Sequence, residues 1–163
     1  MKRIVLILIA AGGLSVGDAL AVGPEWVGKP APDFTLATID GQSDLSLKDL
    51  RGYVVVLDFW ASWCAPCRRS LPELALLESG MKGVKVLAIN IDDERQNGID
   101  FLKRNRVSVI ALYDKDKEVV SRYDIPAMPS ALIIDKKGIV RFLHVGYTAD
   151  DLDGFKKQIE GLL

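Results

Sequence analysis

Apolar and polar positions change rhythm several times along this chain, and each change marks an element. Residues 34–39 and 43–47 alternate around Asp40-Gly41, the pattern of a β-hairpin closed by a tight turn. Lys48-Asp49-Leu50-Arg51-Gly52 reads as a short turn. Residues 53–59 are a nearly unbroken β-branched and aromatic run, as a strand covered on both faces requires, and this places them in the middle of a sheet. From about residue 65 the period becomes helical: Leu71, Leu74, Ala75 and Leu77 share one side and Glu73 and Glu78 the other, until Ser79-Gly80 ends the pattern. Pro66 suits the first turn, where a missing N–H costs nothing, whereas Pro72 falls inside and predicts a kink. A second apolar strand spans 84–91. Asp92 or Asp93 is placed to cap a helix over about 94–104 that buries Ile99 and Leu102. Residues 107–112 read as extended and 117–123 as a short helix. Residues 131–135 and 139–145 form a hairpin around Lys136-Lys137-Gly138. Leu152, Phe155, Ile159 and Leu162 give a final helix, which Thr148 and Asp151 open in the manner of a capping box.

The order is strand, helix, strand, helix, then a hairpin and a helix. Strand-helix-strand units pair in parallel through right-handed crossovers, while a hairpin pairs antiparallel. The expected fold class is therefore α/β, a mixed central sheet with helices on both faces. With 163 residues, 49% of them hydrophobic, the chain suits one domain with its own core. A net charge of −1 gives no field to attract nucleic acid or an anionic membrane.

The first 21 residues read differently. Lys2 and Arg3 precede an apolar run at 4–11, and Ala19-Leu20-Ala21 is a small-x-small cleavage site. A retained membrane anchor is the alternative, but Gly12, Gly13, Ser15, Gly17 and Asp18 interrupt the run well short of the roughly 20 apolar residues a span needs. The expected organisation is a signal peptide at 1–21 and a single domain at 22–163, soluble or only loosely membrane-associated.

Export would make an even cysteine count suggest structural disulfides. Cys64 and Cys67 are the only two cysteines, however, and a bridge closing so short a loop contributes about 2 kcal/mol, against roughly 4.7 for a 100-residue loop. A thiol pair that follows an apolar strand and opens a helix instead suits a dithiol cycling between oxidised and reduced forms.

Trp60-Ala61-Ser62-Trp63-Cys64-Ala65-Pro66-Cys67, together with Pro72 and with Met128-Pro129 before the hairpin, resembles the thioredoxin superfamily. Gly28-Lys29-Pro30-Ala31-Pro32-Asp33-Phe34 and the exported layout narrow the likeness to the TlpA/ResA/DsbE-like branch of extracytoplasmic thiol:disulfide oxidoreductases, over about residues 28–163. The resemblance implies a thioredoxin fold with an N-terminal β-hairpin extension, with Cys64 as nucleophile and Cys67 as resolving thiol. It implies a substrate groove bordered by Trp63, Ala65, Pro66, Met128, a cis Pro129 and Gly146. It also implies a periplasmic location, no metal, and no cofactor beyond the redox-active Cys64–Cys67 disulfide. The implied partners are client protein disulfides, of the apocytochrome c or copper-site kind, and a membrane DsbD-like electron donor. Three positions depart from the pattern. Asp58 matches the buried carboxylate of thioredoxins where many TlpA/ResA-like sequences carry an amide. Ser70 stands where some relatives place a glutamate, and Ala88 where thioredoxins pair a lysine with that carboxylate.

Disulfide exchange needs a thiolate, and a free cysteine titrates near about 8.5. A helix N-terminus favours the anion on Cys64, while Cys67, one turn in, stays protonated. Cys64 would attack a partner disulfide and Cys67 would resolve the mixed disulfide. The uncharged Ala65-Pro66 spacer suggests a reductant rather than a strong oxidant. Asp58, at the end of a buried strand, should have a raised pKa and act as the proton acceptor for Cys67 during resolution. His144, the only histidine, reads as a strand residue; with two thiolates it could also complete a Cu(I) or zinc site, so a copper-delivery module is the second reading. A thiol peroxidase is a third, for which no Pro-x-x-x-Thr-x-x-Cys element is present.

Overall fold

The computed structural model describes residues 26–148 and 151–163, and the expected signal peptide lies outside them. The strands are β1 (Thr35–Ala37), β2 (Asp44–Ser46), β3 (Val54–Trp60), β4 (Val84–Asn90), β5 (Ile110–Tyr113), β6 (Ser130–Ile134) and β7 (Val140–Val145). The helices are α1 (Cys67–Gly80), α2 (Arg95–Asn105), α3 (Glu118–Arg122) and α4 (Asp151–Glu160). The stretch read as a turn after β2 is a 3-10 helix, Leu47–Leu50, which buries both of its leucines.

Every residue of β3 is buried, and β3 lies at the centre of a five-stranded sheet ordered β5-β4-β3-β6-β7. β3, β4 and β5 run parallel, whereas β6 is antiparallel to β3 and β7 to β6. The first two crossovers step in the same direction across the sheet, so right-handedness puts α1 and α2 on one face. Alternation along β3 sends Val54, Val56, Asp58 and Trp60 to that face. There Leu71, Leu74 and Leu77 of α1, Phe101 of α2, and Phe155 and Ile159 of α4 cover the layer. Val55, Leu57 and Phe59 point the other way, against Ala31, Phe34, Leu47, Val119 and Tyr123. Helices thus lie on both faces, but unevenly. Among the described residues, the second face carries α3 and the 3-10 turn, and the β1–β2 hairpin with its flanking segment adds to the cover. The Tyr123 hydroxyl ties that segment down by donating to the Pro32 carbonyl at 2.7 Å. Among the described residues no helix is long and apolar enough to cross a membrane.

Three local expectations are revised. First, α1 opens at Cys67, with Pro66 as the residue before it at φ −66°, so Cys67 begins the helix rather than lying one turn in. Second, neither Asp92 nor Asp93 caps α2; Glu94 precedes the helix without a side-chain cap, because Asp92 is engaged elsewhere. Third, α2 buries Gly98 and Phe101, with Ile99 and Leu102 only partly covered. The helix approaches the sheet so closely at Gly98 that a Cβ there would lie 2.7 Å from Ile39 Cδ1 and 2.9 Å from the Asn90 side chain. The buried stripe rotates toward that contact. At α4, the Thr148 N–H donates to the Asp151 carboxylate, which supplies one half of the capping box.

Candidate active site

In parallel α/β sheets, sites form beyond the carboxyl ends of the strands, and here the chains leaving β3 and β4 meet at that edge. Asp92 joins them. Its carboxylate accepts the Ser62 N–H at 3.0 Å, the Ser62 hydroxyl at 2.8 Å and the Asn90 side-chain amide at 2.8 Å, while Lys117 Nζ donates to its carbonyl at 3.0 Å. The loop carrying Trp63 and Cys64 is therefore held from β4. The Cys64 N–H donates to the Ala61 carbonyl at 3.1 Å, which closes a tight turn into the cysteines.

Cys64 and Cys67 are bridged, with an S–S distance of 2.02 Å. The Cys67 N–H, one of the unpaired donors at the start of α1, points at Cys64 Sγ at 3.3 Å. Cys67 is fully buried and Cys64 only 4% exposed, so neither cysteine of the bridge stands open to solvent. The exposed neighbour is Trp63, at 66%. The two sulfurs still differ in position. Cys64 lines a groove of about 530 Å³ together with Trp63, Ala65, Pro66, Ile91, Ile125 and Met128, whereas Cys67 does not reach it. The Met128–Pro129 peptide bond is cis. Pro129 is buried behind this lining, and its carbonyl accepts the N–H of Gly146 at 2.7 Å. Gly146 adopts φ 81°, a backbone conformation that favours glycine.

Asp58 is 1% exposed and pairs in register with Ala88 on one side and Ala131 on the other. Neither of its oxygens has a hydrogen-bond partner, and burial raises its pKa well above the usual carboxylate range. With alanine at position 88, no cation sits beside it in the sheet. Ser70 Oγ and Trp60 Nε1 are likewise buried without partners. Cys67, Ser70 and Leu71 are the buried residues of α1's first turns, and Asp58 and Trp60 lie on the sheet face that this helix covers. The layer beneath the disulfide thus contains three buried polar side chains without protein partners.

His144 Nε2 lies 2.7 Å from Gln158 Oε1, and its ring stacks on Phe155 at 4.1 Å. It is engaged by α4, as a strand residue packed under a helix. Among the described residues no cluster of three His, Cys, Asp or Glu side chains is placed to share a metal ion. His144 is thus not grouped with Cys64 and Cys67 as the copper-delivery reading requires.

The sequence reading missed Asp92 and Asn90 as the supports of the cysteine loop. The available signal was Asn90-x-Asp92 at the end of a parallel strand, which reads equally well as a helix cap until the partner loop is known.

A bridged Cys-x-x-Cys at the start of a helix, on this sheet order, defines a thioredoxin-fold thiol:disulfide oxidoreductase. The AhpC/TSA family matches residues 27–143. ResA of Bacillus subtilis (strain 168), named a thiol-disulfide oxidoreductase, is 33% identical over 141 residues, covering 84% of this chain and 78% of that protein. ResA of Geobacillus thermodenitrificans is 32% identical over 167 residues, covering 98% and 92%. The crystal structure of a putative thiol:disulfide interchange protein DsbE from Chlorobium tepidum superimposes with a TM-score of 0.79 at 34% identity, covering 83% of this chain and 96% of that one. The chain belongs to the AhpC/TSA family, and within it to the ResA- and DsbE-like thiol-disulfide oxidoreductases.

Proposed function

We propose that this protein is a reductant of disulfides in exported proteins, with Cys64 as attacking thiol and Cys67 as resolving thiol. The observation that carries the reading is the inequality of the pair: Cys64 Sγ receives a helix N-terminal N–H and borders the groove, while Cys67, the first residue of α1, is fully buried away from it. In the reduced protein that N–H and the helix dipole favour an anion on Cys64. Cys64 attacks a client disulfide; the new bond joins its Sγ to one client sulfur, and the other leaves as thiolate. Cys67 then loses its proton to Asp58 in those molecules whose Asp58 carboxyl is ionised, a stronger base than an exposed carboxylate because burial raises its pKa. Its thiolate attacks Cys64 Sγ, releases the second client thiol and restores the Cys64–Cys67 bridge. Two electrons pass to the client.

Trp63, Ala65, Pro66 and Met128 line the surface on which the client chain lies, with Pro129 and Gly146 supporting it from behind. The family resemblance adds a periplasmic location after cleavage of residues 1–21, a single domain at 22–163, and re-reduction by a membrane DsbD-like donor. Clients of the cytochrome c maturation kind follow by the same likeness. Equilibration with a glutathione redox buffer tests the direction of electron flow. The expected midpoint lies between about −200 and −300 mV, and a value near the roughly −120 mV of a strong oxidant contradicts the reading.

A further inference from the structure

We infer that a second cleft beside the disulfide, lined by Ser62, Arg68, Phe101, Arg104 and Asn105, is a subsite for an acidic side chain of the client polypeptide. This rests on the reductant reading above and adds a specificity to it. The cleft holds about 370 Å³ and shares no lining residue with the apolar groove. Two of its lining residues flank the disulfide in sequence: Ser62 lies two residues before Cys64, and Arg68 directly follows Cys67.

The charge balance within the cleft singles out the ligand. The Ser62 hydroxyl is committed to Asp92, and the Asn105 amide donates to the Phe101 carbonyl at 2.8 Å. What remains is two exposed guanidinium groups, which have no ion pair among the described residues. Among the described residues, no acid of α1 or α2, nor Asp92, forms an ion pair with them. Glu73 pairs with Arg69 at 3.1 Å, Asp100 accepts from Gln96 at 2.8 Å, and Asp92 is buried and turned toward Ser62 and Asn90. Phe101, 2% exposed, contributes an apolar wall against which a carboxylate is less screened than on an open surface. Guanidinium groups bind carboxylates through paired, charge-assisted N–H donors.

The test uses the reduced full-length mature protein and two disulfide-bridged peptides that differ only in having glutamate or glutamine beside one cysteine. The readout is the ratio of kcat/KM for the two peptides, because a substitution at Arg68 that alters Cys64 reactivity moves both rates together. The wild type should prefer the glutamate peptide by about five- to tenfold at low salt. The ratio should shrink in Arg68→Gln and in Arg104→Gln, and approach unity in the double variant and at high salt. Equal rates in the wild type, or a preference that survives both substitutions, overturns the inference. If the wild type reduces neither peptide, the reductant reading falls and takes this inference with it.

Discussion

Replacing Asp58 with asparagine removes the one buried carboxyl group among the described residues that has no hydrogen-bond partner. In the unfolded chain this group ionises near 3.8, whereas in the folded protein burial between Ala88 and Ala131 holds the proton to a much higher pH. The sign follows directly. At pH below the unfolded value both states are protonated, and burial of the neutral acid has no ionisation cost. As pH rises past 3.8 the unfolded chain releases its proton first, so the folded state loses stability until its own Asp58 ionises. Over that window one linked proton is worth about 1.4 kcal/mol per pH unit. Asparagine keeps the shape and cannot ionise. The stability of Asp58→Asn minus that of wild type should therefore be smallest near pH 4, climb at about that slope, and level off at the folded pKa of Asp58. Urea unfolding from pH 4 to 9 measures this, with the disulfide kept oxidised so that neither cysteine titrates. Two curves separated by a constant offset would refute the buried, unpaired carboxyl and remove the proton acceptor proposed for Cys67.

Two further substitutions test the scaffold under the site. Asp92→Ala leaves the Ser62 N–H, the Ser62 hydroxyl and the Asn90 amide without their acceptor, and should cost about 3 kcal/mol in urea unfolding. Asp92→Asn, which keeps one acceptor oxygen, should cost less, and equal costs would contradict the assigned hydrogen bonds. Gly98→Ala forces a methyl group to within 2.7 Å of Ile39 and 2.9 Å of Asn90. Overpacking of about 1–3 kcal/mol should outweigh the roughly 1 kcal/mol that alanine gains in a helix. A lower melting temperature is expected, and a stabilised variant would show that α2 does not pack so closely.

The parts of this molecule that were legible in its sequence are those fixed by local pattern. The apolar run at β3 could only be a central strand, the period change after Pro66 could only be a helix, and Cys64 and Cys67 marked the junction between them. Asp58 stood out because an acid in such a run has nowhere polar to go. What stayed hidden depends on which loops meet. Asp92 follows a strand and precedes a helix, so its local pattern suits a cap. Only the parallel pairing of β3 with β4 brings Ser62 to it instead. Gly98 looks like a weak point in α2 until Ile39, from the hairpin, is packed against it. Arg68 and Arg104 lie on two different helices, far apart in sequence. They become a pair because successive right-handed crossovers place α1 and α2 on the same face.

Single-cysteine variants test the unequal roles of the two thiols most directly. Reduced Cys67→Ala and Cys64→Ala proteins, each incubated with a disulfide-bridged client peptide, are quenched with acid and weighed by mass spectrometry. The expected result is a mixed disulfide on Cys64 that accumulates in Cys67→Ala, with little adduct in Cys64→Ala, whose remaining thiol, at the first residue of α1, is fully buried and away from the groove. Equal adducts on the two variants, or none on Cys67→Ala, would contradict Cys64 as the attacking thiol.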